Sequence, residues 1–317
     1  MIIPTKKAVG TAHGKIILIG EHSVVHNQPA IAIPFTSAKV NIEITESLGE
    51  TVINSLYYEG QLVNAPKTLT NLKKTIDAVA LYLGKVIQNI RIDIDSNIPA
   101  ERGMGSSAAV ATALVRALFN YFEVQLTDDL LENFVSISEE IAHGNPSGID
   151  AQVVRSNESV YFIRKQETKY FDARLNGFLL VADTGQPGET IHAVEDVKNL
   201  VDDKNSRGEK WIHELGDLTN KAYQEIKEKE IKKLGKSLSE AQKLLRNLTV
   251  SNESLDNLVA TAMKNGALGA KLTGGGRGGC MIALVENKED AYRISATLSK
   301  VGAVKTWIHP LGVNMNE

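Results

Sequence analysis

The stretch of sequence best suited to chemistry is residues 98–110, IPAERGMGSSAAV, where Gly103, Gly105, Ser106 and Ser107 precede an apolar run. Glycine lets the backbone approach a ligand closely and adopt positive φ angles. Serine is favoured at the start of a helix, and the helix macrodipole favours negative charge there. The pattern therefore predicts that the backbone binds a phosphate chain at this point, which indicates a nucleotide.

Two common nucleotide motifs fit the chain less well. Residues 10–16, GTAHGKI, are one residue short of a Walker P-loop, and Ile16 stands where that motif has its magnesium-binding serine or threonine. Residues 103–108 match the dinucleotide pattern G-x-G-x-x-A, but residues 97–102 intervene where a tight turn is required. The acidic pair at 128–129 begins a predicted helix instead of ending a second strand. A lone match of this kind is weak evidence.

The composition excludes several classes of protein. The chain has 317 residues, of which 43% are hydrophobic and 23% charged, as in a soluble protein of one large or two ordinary domains. A net charge of −3 argues against a nucleic-acid partner. The single cysteine, Cys280, excludes an intrachain disulfide and fits a reducing compartment. We see no signal peptide and no membrane span, so we expect a cytoplasmic protein with no membrane partner. The sequence allows a homodimer without specifying one.

Hydrophobic periodicity predicts the elements that position the glycine-rich loop. Strands are predicted at residues 15–19, 30–35, 40–45 and 90–94, and helices at 67–84, 107–122 and 128–143. In the last of these helices we expect a buried stripe of Leu130, Phe134, Ile137 and Ile141. That stripe would leave Glu139 about 160° away, on the opposite face.

The pattern changes in the second half of the chain. A buried strand at 178–183 precedes charged helices that continue to about residue 246. A second glycine cluster at 274–279 is followed by an apolar strand at 280–285, a helix at 288–301 and a last strand at 304–308. The order lacks regular βαβ alternation, so the predicted class is α+β. We place the domain boundary in the polar stretch 165–176, which gives an N-terminal domain of residues 1–170 and a C-terminal domain of residues 171–317.

Three segments resemble, in order along the chain, the three sequence motifs of the GHMP kinase superfamily. They are residues 15–29 (KIILIGEHSVVHNQP), 99–109 (PAERGMGSSAA) and 271–281 (KLTGGGRGGCM). Within the superfamily, residues 20–32 (GEHSVVHNQPAIA) and 143–150 (HGNPSGID) are similar to the members that act on mevalonate. The resemblance extends from near the start of the chain to near its end.

The resemblance implies a two-domain GHMP kinase fold, with an N-terminal α/β domain containing a left-handed βαβ unit and a ferredoxin-like C-terminal domain. It also implies ATP as co-substrate, Mg²⁺ as cofactor and phosphorylation of the 5-hydroxyl of mevalonate, an early step towards isoprenoids. The chain departs from the family pattern at Glu101 and Arg102, where many members have small residues, and at Met104, where they have leucine. Methionine conserves the volume of leucine, whereas the charged pair could shift the affinity for the nucleotide.

By this resemblance, two glycine-rich segments bind the nucleotide. Backbone N–H groups of the first would cradle the phosphates, and the second would close the site. The residues are Pro99, Gly103, Met104, Gly105, Ser106, Ser107, Ala108, Gly275 and Gly276. A glycine cluster is more often only a turn. Five glycines within residues 274–279, however, cost too much conformational entropy for an ordinary turn.

The resemblance also implies the metal-binding and catalytic residues. Ser107 and Glu139 would hold Mg²⁺, Asp150 would accept the proton of the substrate hydroxyl, and Lys15 would pair with Asp150 and the transferring phosphate. From the residues alone, each has an ordinary alternative. Glu139 could lie on a solvated face, Asp150 could cap a helix that follows Gly148, and Lys15 could be a solvated strand residue.

Glu21 and His22 would provide an acceptor and a donor for the hydroxyl and carboxylate of mevalonate, although a plain polar loop is the alternative. Two other functions remain open. One is a sister kinase of the same fold that acts on phosphomevalonate, homoserine or a sugar. The other is a ligand-sensing regulator that has lost catalysis. Such a regulator would be expected to lack Lys15, Glu139 or Asp150, and all three are present.

Overall fold

The computed structural model describes residues 6–143, 148–156 and 158–312. Within these ranges the chain forms eleven β-strands and nine α-helices, which confirms the predicted α+β class. The backbone contacts divide the chain into two compact units. The first unit comprises Met1–Gly14, Ala38–Pro99 and Gly105–Asn157, and the second comprises Lys15–Ser37, Ala100–Met104 and Glu158–Glu317. The boundaries of these units fall within the first two strands of the chain and beside the first glycine-rich loop. The domain boundary at residue 170, inferred from the sequence, stays a prediction.

The elements follow in chain order. Up to residue 156 they are β1 (Lys7–Ile19), β2 (Ala30–Glu46), β3 (Val52–Ser55), β4 (Tyr58–Gln61), α1 (Thr70–Leu83), β5 (Ile90–Ser96), α2 (Ser106–Phe122), α3 (Asp128–His143) and α4 (Ile149–Ser156). After residue 158 they are β6 (Ser159–Phe162), β7 (Lys169–Phe171), β8 (Phe178–Asp183), α5 (Thr190–Asp202), α6 (Gly208–Lys227), α7 (Ile231–Asn247), α8 (Glu253–Lys264), β9 (Gly269–Thr273), β10 (Cys280–Val285), α9 (Lys288–Lys300) and β11 (Lys305–Pro310). None of the described helices is long and apolar enough to cross a membrane.

The first unit combines a sheet with four helices, α1 to α4, that pack together. The strand order is β4-β3-β5-β2, with residues 40–46 of β2 antiparallel to β5 and β3 parallel to β5. The two strands predicted at 30–35 and 40–45 are one continuous strand, β2. Helix α2 is buried on most sides, as predicted, because it contacts both α1 and α3.

The buried face of α3 differs from the predicted one. Its buried side chains are Leu131, Phe134, Val135, Ser138 and Glu139, whereas Ile141 is 42% exposed. The prediction of a stripe through Leu130, Ile137 and Ile141 is therefore wrong. The physical reason is that α3 packs against both α1 and α2, and its buried face includes polar residues that find partners there. Glu139 lies on this buried face and not on a solvated one.

In the second unit, four antiparallel strands form a sheet in the order β11-β8-β10-β9. Helices α5–α8 connect β8 to β9, and α9 connects β10 to β11. In chain order within this sheet, the arrangement is 4-1-3-2, that of the ferredoxin-like β-α-β-β-α-β motif. Strands β8, β9 and β10 are buried along their whole length, which agrees with the predicted buried strands at 178–183 and 280–285. Cys280, which begins β10, is a free and buried cysteine, as expected.

Candidate active site

The first glycine-rich segment is anchored by its backbone within the second unit. The carbonyl of Met104 accepts a hydrogen bond of 3.0 Å from Lys15 N, and the carbonyl of Glu101 accepts one of 2.9 Å from Gly188 N. A Cβ on Gly103 would lie 2.9 Å from the Cα of Gly274, and one on Gly274 would lie 2.7 Å from the Cα of Gly103. Both residues have positive φ angles, 76° and 82°. Glycine is therefore required at both positions, since the two loops pack backbone against backbone.

Arg102, one of the two charged departures from the family pattern, ties this segment to the sheet of the same unit. Its Nε donates to Asp183 Oδ1 at 2.9 Å, and its Nη2 donates to the carbonyl of Gly185 at 3.0 Å. The Arg102 side chain is 16% exposed and that of Asp183 only 5%. The guanidinium is thus occupied in anchoring the loop to the end of β8.

The second glycine cluster, residues 274–279, is held in the same way. Arg277 N donates to the carbonyl of Val250 at 2.8 Å, and its guanidinium forms an ion pair of 2.6 Å with Asp196 of α5. A Cβ on Gly276 would lie 2.0 Å from the carbonyl oxygen of Val250. The cluster is therefore a close approach between backbones, beyond what a simple turn requires.

Three of the predicted polar residues, Lys15, Glu21 and His22, are buried in the second unit. Lys15 is 2% exposed, Glu21 1% and His22 5%, so none of them lies on a solvated strand or in an open polar loop. His22 Nε2 lies 3.0 Å from the carbonyl oxygen of Gly275. Glu21 Oε1 accepts a hydrogen bond from Lys271 Nζ. The structure thus brings the buried side chains of Glu21 and His22 together with the half-buried Gly275.

Lys271, in the short strand β9, belongs to this group although the sequence analysis assigns it no role. Its side chain is fully buried. A signal was available: residues 269–273, GAKLT, contain one lysine among small or uncharged residues, directly before the glycine cluster. A lysine in such a strand requires a partner, and Glu21 provides it.

The hydrogen bond to Gly275 fixes the tautomer of His22. A carbonyl oxygen only accepts, so the proton is on Nε2 and the other ring nitrogen, Nδ1, is an acceptor. Burial lowers the pKa of His22 to about 4, against the opposing effect of the Gly275 hydrogen bond, so the ring is neutral near pH 7. Nδ1 is buried and has no hydrogen-bond partner among the described residues. In this state, Nδ1 suits the hydroxyl of a ligand better than a carboxylate.

The lowered pKa predicts a pH-dependent stability. The unfolded histidine binds its proton near pH 6.5, whereas the folded one binds it near pH 4. Stability contributed by the neutral ring is therefore fully present above about pH 6.5 and is lost as the pH falls towards 4. From urea unfolding, we expect the free energy of unfolding of the wild type to be about 2–3 kcal/mol lower at pH 4.5 than at pH 7 because of this histidine. The variant His22→Gln should lack this loss. His192→Gln, at an exposed position on α5, is the control and should retain the wild-type loss. An equal loss in His22→Gln and the wild type would contradict the assignment.

In the first unit, the predicted phosphate loop continues into α2. The helix begins at Ser106, and Gly105, with a φ of 70°, is its N-cap. A serine cap was expected, but Gly105 takes that position because it adopts the left-handed conformation, and no side chain caps the helix. No side-chain cap therefore accepts hydrogen bonds from the first N–H groups of this helix. Anion binding at a helix N-terminus requires such available N–H groups. Ser106, Ser107 and Ala108 form its first turn.

A polar contact links Ser107 of α2 to α3. Asn71 of α1 donates to Ser107 Oγ at 3.4 Å and to Ser138 Oγ at 3.1 Å. Ser138 directly precedes Glu139, which is 4% exposed. Ser107 and Glu139 thus lie on packed helices, and one amide joins Ser107 to the residue that precedes Glu139. No periodicity or motif in the sequence marks Asn71.

Pro99 and Asp150 are also in the first unit. Pro99 is half-buried in the turn that precedes the glycine-rich segment. Asp150 is the second residue of α4, and its side chain lies outside the described part of the structure, as do residues 144–147. Gly148, with a φ of 85°, accepts the hydrogen bond from Gln152 N at 3.4 Å, which makes it the N-cap. Asp150 therefore lies within the helix and not at the N-cap position.

No cluster of three or more histidine, cysteine, aspartate or glutamate side chains with metal-binding geometry occurs within the described ranges.

Comparison with known proteins gives consistent matches. Residues 70–155 match the model of the GHMP kinases N terminal domain, and residues 222–304 match that of the GHMP kinases C terminal domain. The mevalonate kinase of Thermococcus sibiricus is 32% identical over 98% of this chain and 99% of its own length. That of Pyrococcus furiosus is 31% identical over 89% of this chain and 90% of its own length. A crystal structure of mevalonate kinase from methicillin-resistant Staphylococcus aureus is 30% identical, with a TM-score of 0.75 over 97% of this chain and 100% of that chain.

Proposed function

The chain belongs to the GHMP kinases and, within them, to the mevalonate kinase family, and on that basis we propose that it transfers the γ-phosphate of ATP to the 5-hydroxyl of mevalonate. The observation that carries this proposal is the match, over nearly the full length of both chains, to relatives named mevalonate kinase. The product would be 5-phosphomevalonate. The buried side chains of Glu21 and His22 beside Gly275 support it, because a polar group of this kind is typical of a ligand site.

The nucleotide phosphates would bind to backbone N–H groups. Gly105 leaves the first turn of α2 without a side-chain cap. Residues 103–108 would therefore direct several donors and the positive end of a 17-residue helix at the phosphates. Gly275 and Gly276 would contribute the second loop.

Ser107 and Glu139 would hold Mg²⁺. The donor set fits this ion, since it offers one buried carboxylate and one hydroxyl on packed helices and leaves the other positions to phosphate oxygens and water. Bound there, Mg²⁺ would neutralise charge on the phosphates. Asn71 donates to Ser107 Oγ and so occupies one of its two lone pairs, which leaves the other for a ligand.

Asp150 and Lys15 would act on the reacting groups. A primary alcohol is far from ionised at neutral pH, so Asp150 would mainly orient the hydroxyl and accept its proton late in a loose transition state. Lys15, whose backbone N–H is fixed on the carbonyl of Met104, would stabilise the charge of the transferring phosphate.

Glu21 and His22 would bind mevalonate. Glu21 Oε2 and His22 Nδ1 are both buried acceptors without a hydrogen-bond partner among the described residues. Unfilled acceptors on two consecutive residues suit a substrate that brings a hydroxyl hydrogen, because an unsatisfied buried polar atom costs free energy until a donor arrives.

A coupled assay of ADP release tests the function. We expect turnover with mevalonate and at least about 10³-fold lower kcat/KM with phosphomevalonate, homoserine and galactose, because a site built to hydrogen-bond one substrate strongly rejects others. Preferred turnover of another alcohol would replace the proposed substrate. Absence of turnover with all four, together with intact binding of ATP, would instead favour a ligand-sensing regulator.

A further inference from the structure

The second unit contains an ion pair that is removed from solvent almost completely. Lys271 Nζ donates to Glu21 Oε1 and, at 2.6 Å, to the carbonyl oxygen of Leu272. The Lys271 side chain is 0% exposed and that of Glu21 1%. Lys271 lies in the middle of β9, where Leu272 N is held in turn by Gln242 Oε1 at 2.9 Å. The ammonium group is thus held at a fixed place by a rigid strand.

Stability alone does not account for such a pair. Burying two charges carries a desolvation cost that their attraction often only balances, and well-packed apolar residues of similar volume can do as well or better. A buried lysine and glutamate beside a candidate active site therefore point to a functional constraint.

The pair leaves one carboxylate oxygen open. Oε1 is taken by Lys271, whereas Oε2 is buried and has no hydrogen-bond partner among the described residues. The neighbouring His22 Nδ1 is open in the same way. Because Lys271 is fixed in its strand and holds Oε1, it determines the direction in which Oε2 points.

Lys271 also acts on the protonation of Glu21. Burial raises the pKa of Glu21 above its ordinary value, and the charge and hydrogen bond of Lys271 oppose that rise without cancelling it. Lys15 lowers it further, while Arg277, Lys271 and His26 act on the neighbouring His22. Without the ammonium group, the effect of burial on Glu21 would be much less opposed. The carboxyl would then keep its proton at higher pH and lose an acceptor.

We propose that Lys271 is a positioning residue for the substrate: it holds Glu21 as a carboxylate with Oε1 occupied and Oε2 available to accept a hydrogen bond from a substrate hydroxyl. This role rests on the proposed function, in which the substrate is mevalonate. Lys271 itself touches no reacting atom.

The experiment measures the pH dependence of kcat/KM for mevalonate in Lys271→Met, Lys271→Arg and Glu21→Gln. At pH 7 we expect Lys271→Met to raise KM for mevalonate about tenfold and to leave KM for ATP within twofold. The acid limb of its pH profile, where kcat/KM falls as the pH is lowered, should move to higher pH. Activity should therefore recover in part towards pH 9, where Glu21 loses its proton. Lys271→Arg keeps the charge and should retain the wild-type limb. Glu21→Gln should raise KM for mevalonate without any such recovery.

Thr273→Val is the matched control, since Thr273 is buried in the same strand and donates to the carbonyl of Ile17 at 2.9 Å. It should be less stable than the wild type and keep the same acid limb. If Lys271→Met does not fold, Lys271→Met/Glu21→Gln replaces it, because this double variant buries no unpaired charge. The double variant should have the same KM as Glu21→Gln alone, and a further rise overturns the role. If the acid limb of Lys271→Met does not move, or if KM for mevalonate and KM for ATP rise equally, the role of Lys271 alone is overturned. If the wild type does not turn over mevalonate, the proposed function is overturned and this role with it.

Discussion

Replacing Asp150 with asparagine is expected to lower kcat by about 10²–10⁴-fold, the range typical of a positioned acid–base group. Asparagine keeps the shape of the side chain and removes its capacity to take the proton of the substrate hydroxyl. The position of Asp150 in the structure makes the test cleaner. Gly148 is the N-cap of α4 and Asp150 is the second helical residue, so no cap is lost. Loss of the favourable interaction between the charge and the helix dipole would cost about 0.3–1 kcal/mol.

The measurement is kcat with saturating mevalonate and ATP, combined with thermal unfolding of the same preparations. Gln152→Ala is the control on the same helix, where Gln152 Nε2 donates to Glu132 Oε1 of α3 at 2.7 Å. It should lose about 1 kcal/mol of stability and keep kcat within about threefold, since it touches no reacting group. A kcat of Asp150→Asn close to that of the wild type would show that this carboxylate is not the proton acceptor.

Much of the fold can be predicted from the sequence, because its strongest signals are local. The apolar runs at 178–183 and 280–285 and the helix at 128–143 lie at the predicted bounds. The hairpin of β3 and β4 is absent from the prediction, because its strands are four residues each and carry mixed polar residues. Short strands of this kind are stabilised by pairing with a neighbour, here β5, which periodicity does not report.

The candidate site shows the same division between local and long-range information. The glycine loops are predictable because positive φ angles and close approach of the backbone require glycine, which is visible in the sequence. For Lys271 the sequence indicates only that a lysine in such a strand needs a partner, and for Asn71 it indicates nothing. The partners themselves, Glu21 and Ser107, are 250 and 36 residues away. For Glu139, periodicity suggests a solvated residue, but packing of α3 against two helices buries it.

That burial leads to the second prediction with a large effect: Glu139→Gln should lower kcat/KM by about 10²–10³-fold and raise the magnesium concentration needed for half-maximal activity. The variant conserves volume and removes a charge that would hold the ion. Ser107→Ala should act in the same direction by about tenfold, because a hydroxyl is a neutral and weaker ligand. Both effects are read from magnesium titrations at fixed ATP.

Two neighbouring residues provide controls. Ser138 accepts a hydrogen bond from the same amide of Asn71 as Ser107 does and is fully buried, yet it has no proposed metal role. Glu140 is an exposed carboxylate next to Glu139. Ser138→Ala and Glu140→Gln should therefore leave the magnesium requirement unchanged. A raised requirement in Ser138→Ala would mean that the helix contact, and not the hydroxyl of Ser107, determines the effect.

The double variant Ser107→Ala/Glu139→Gln decides whether the two side chains share one ion. Residues that act on the same ligand are non-additive, because the second loss removes an interaction that the first has already weakened. The double variant should therefore lose less than the product of the single losses, by a factor of about ten, and calorimetry of a non-hydrolysable ATP analogue with Mg²⁺ should show the same pattern in binding free energy. Additive losses in both measurements would mean that Ser107 and Glu139 act independently and do not share one ion. The hydroxyl at the start of α2 would then serve the phosphates directly, and the buried carboxylate of α3 would need another reason for its burial.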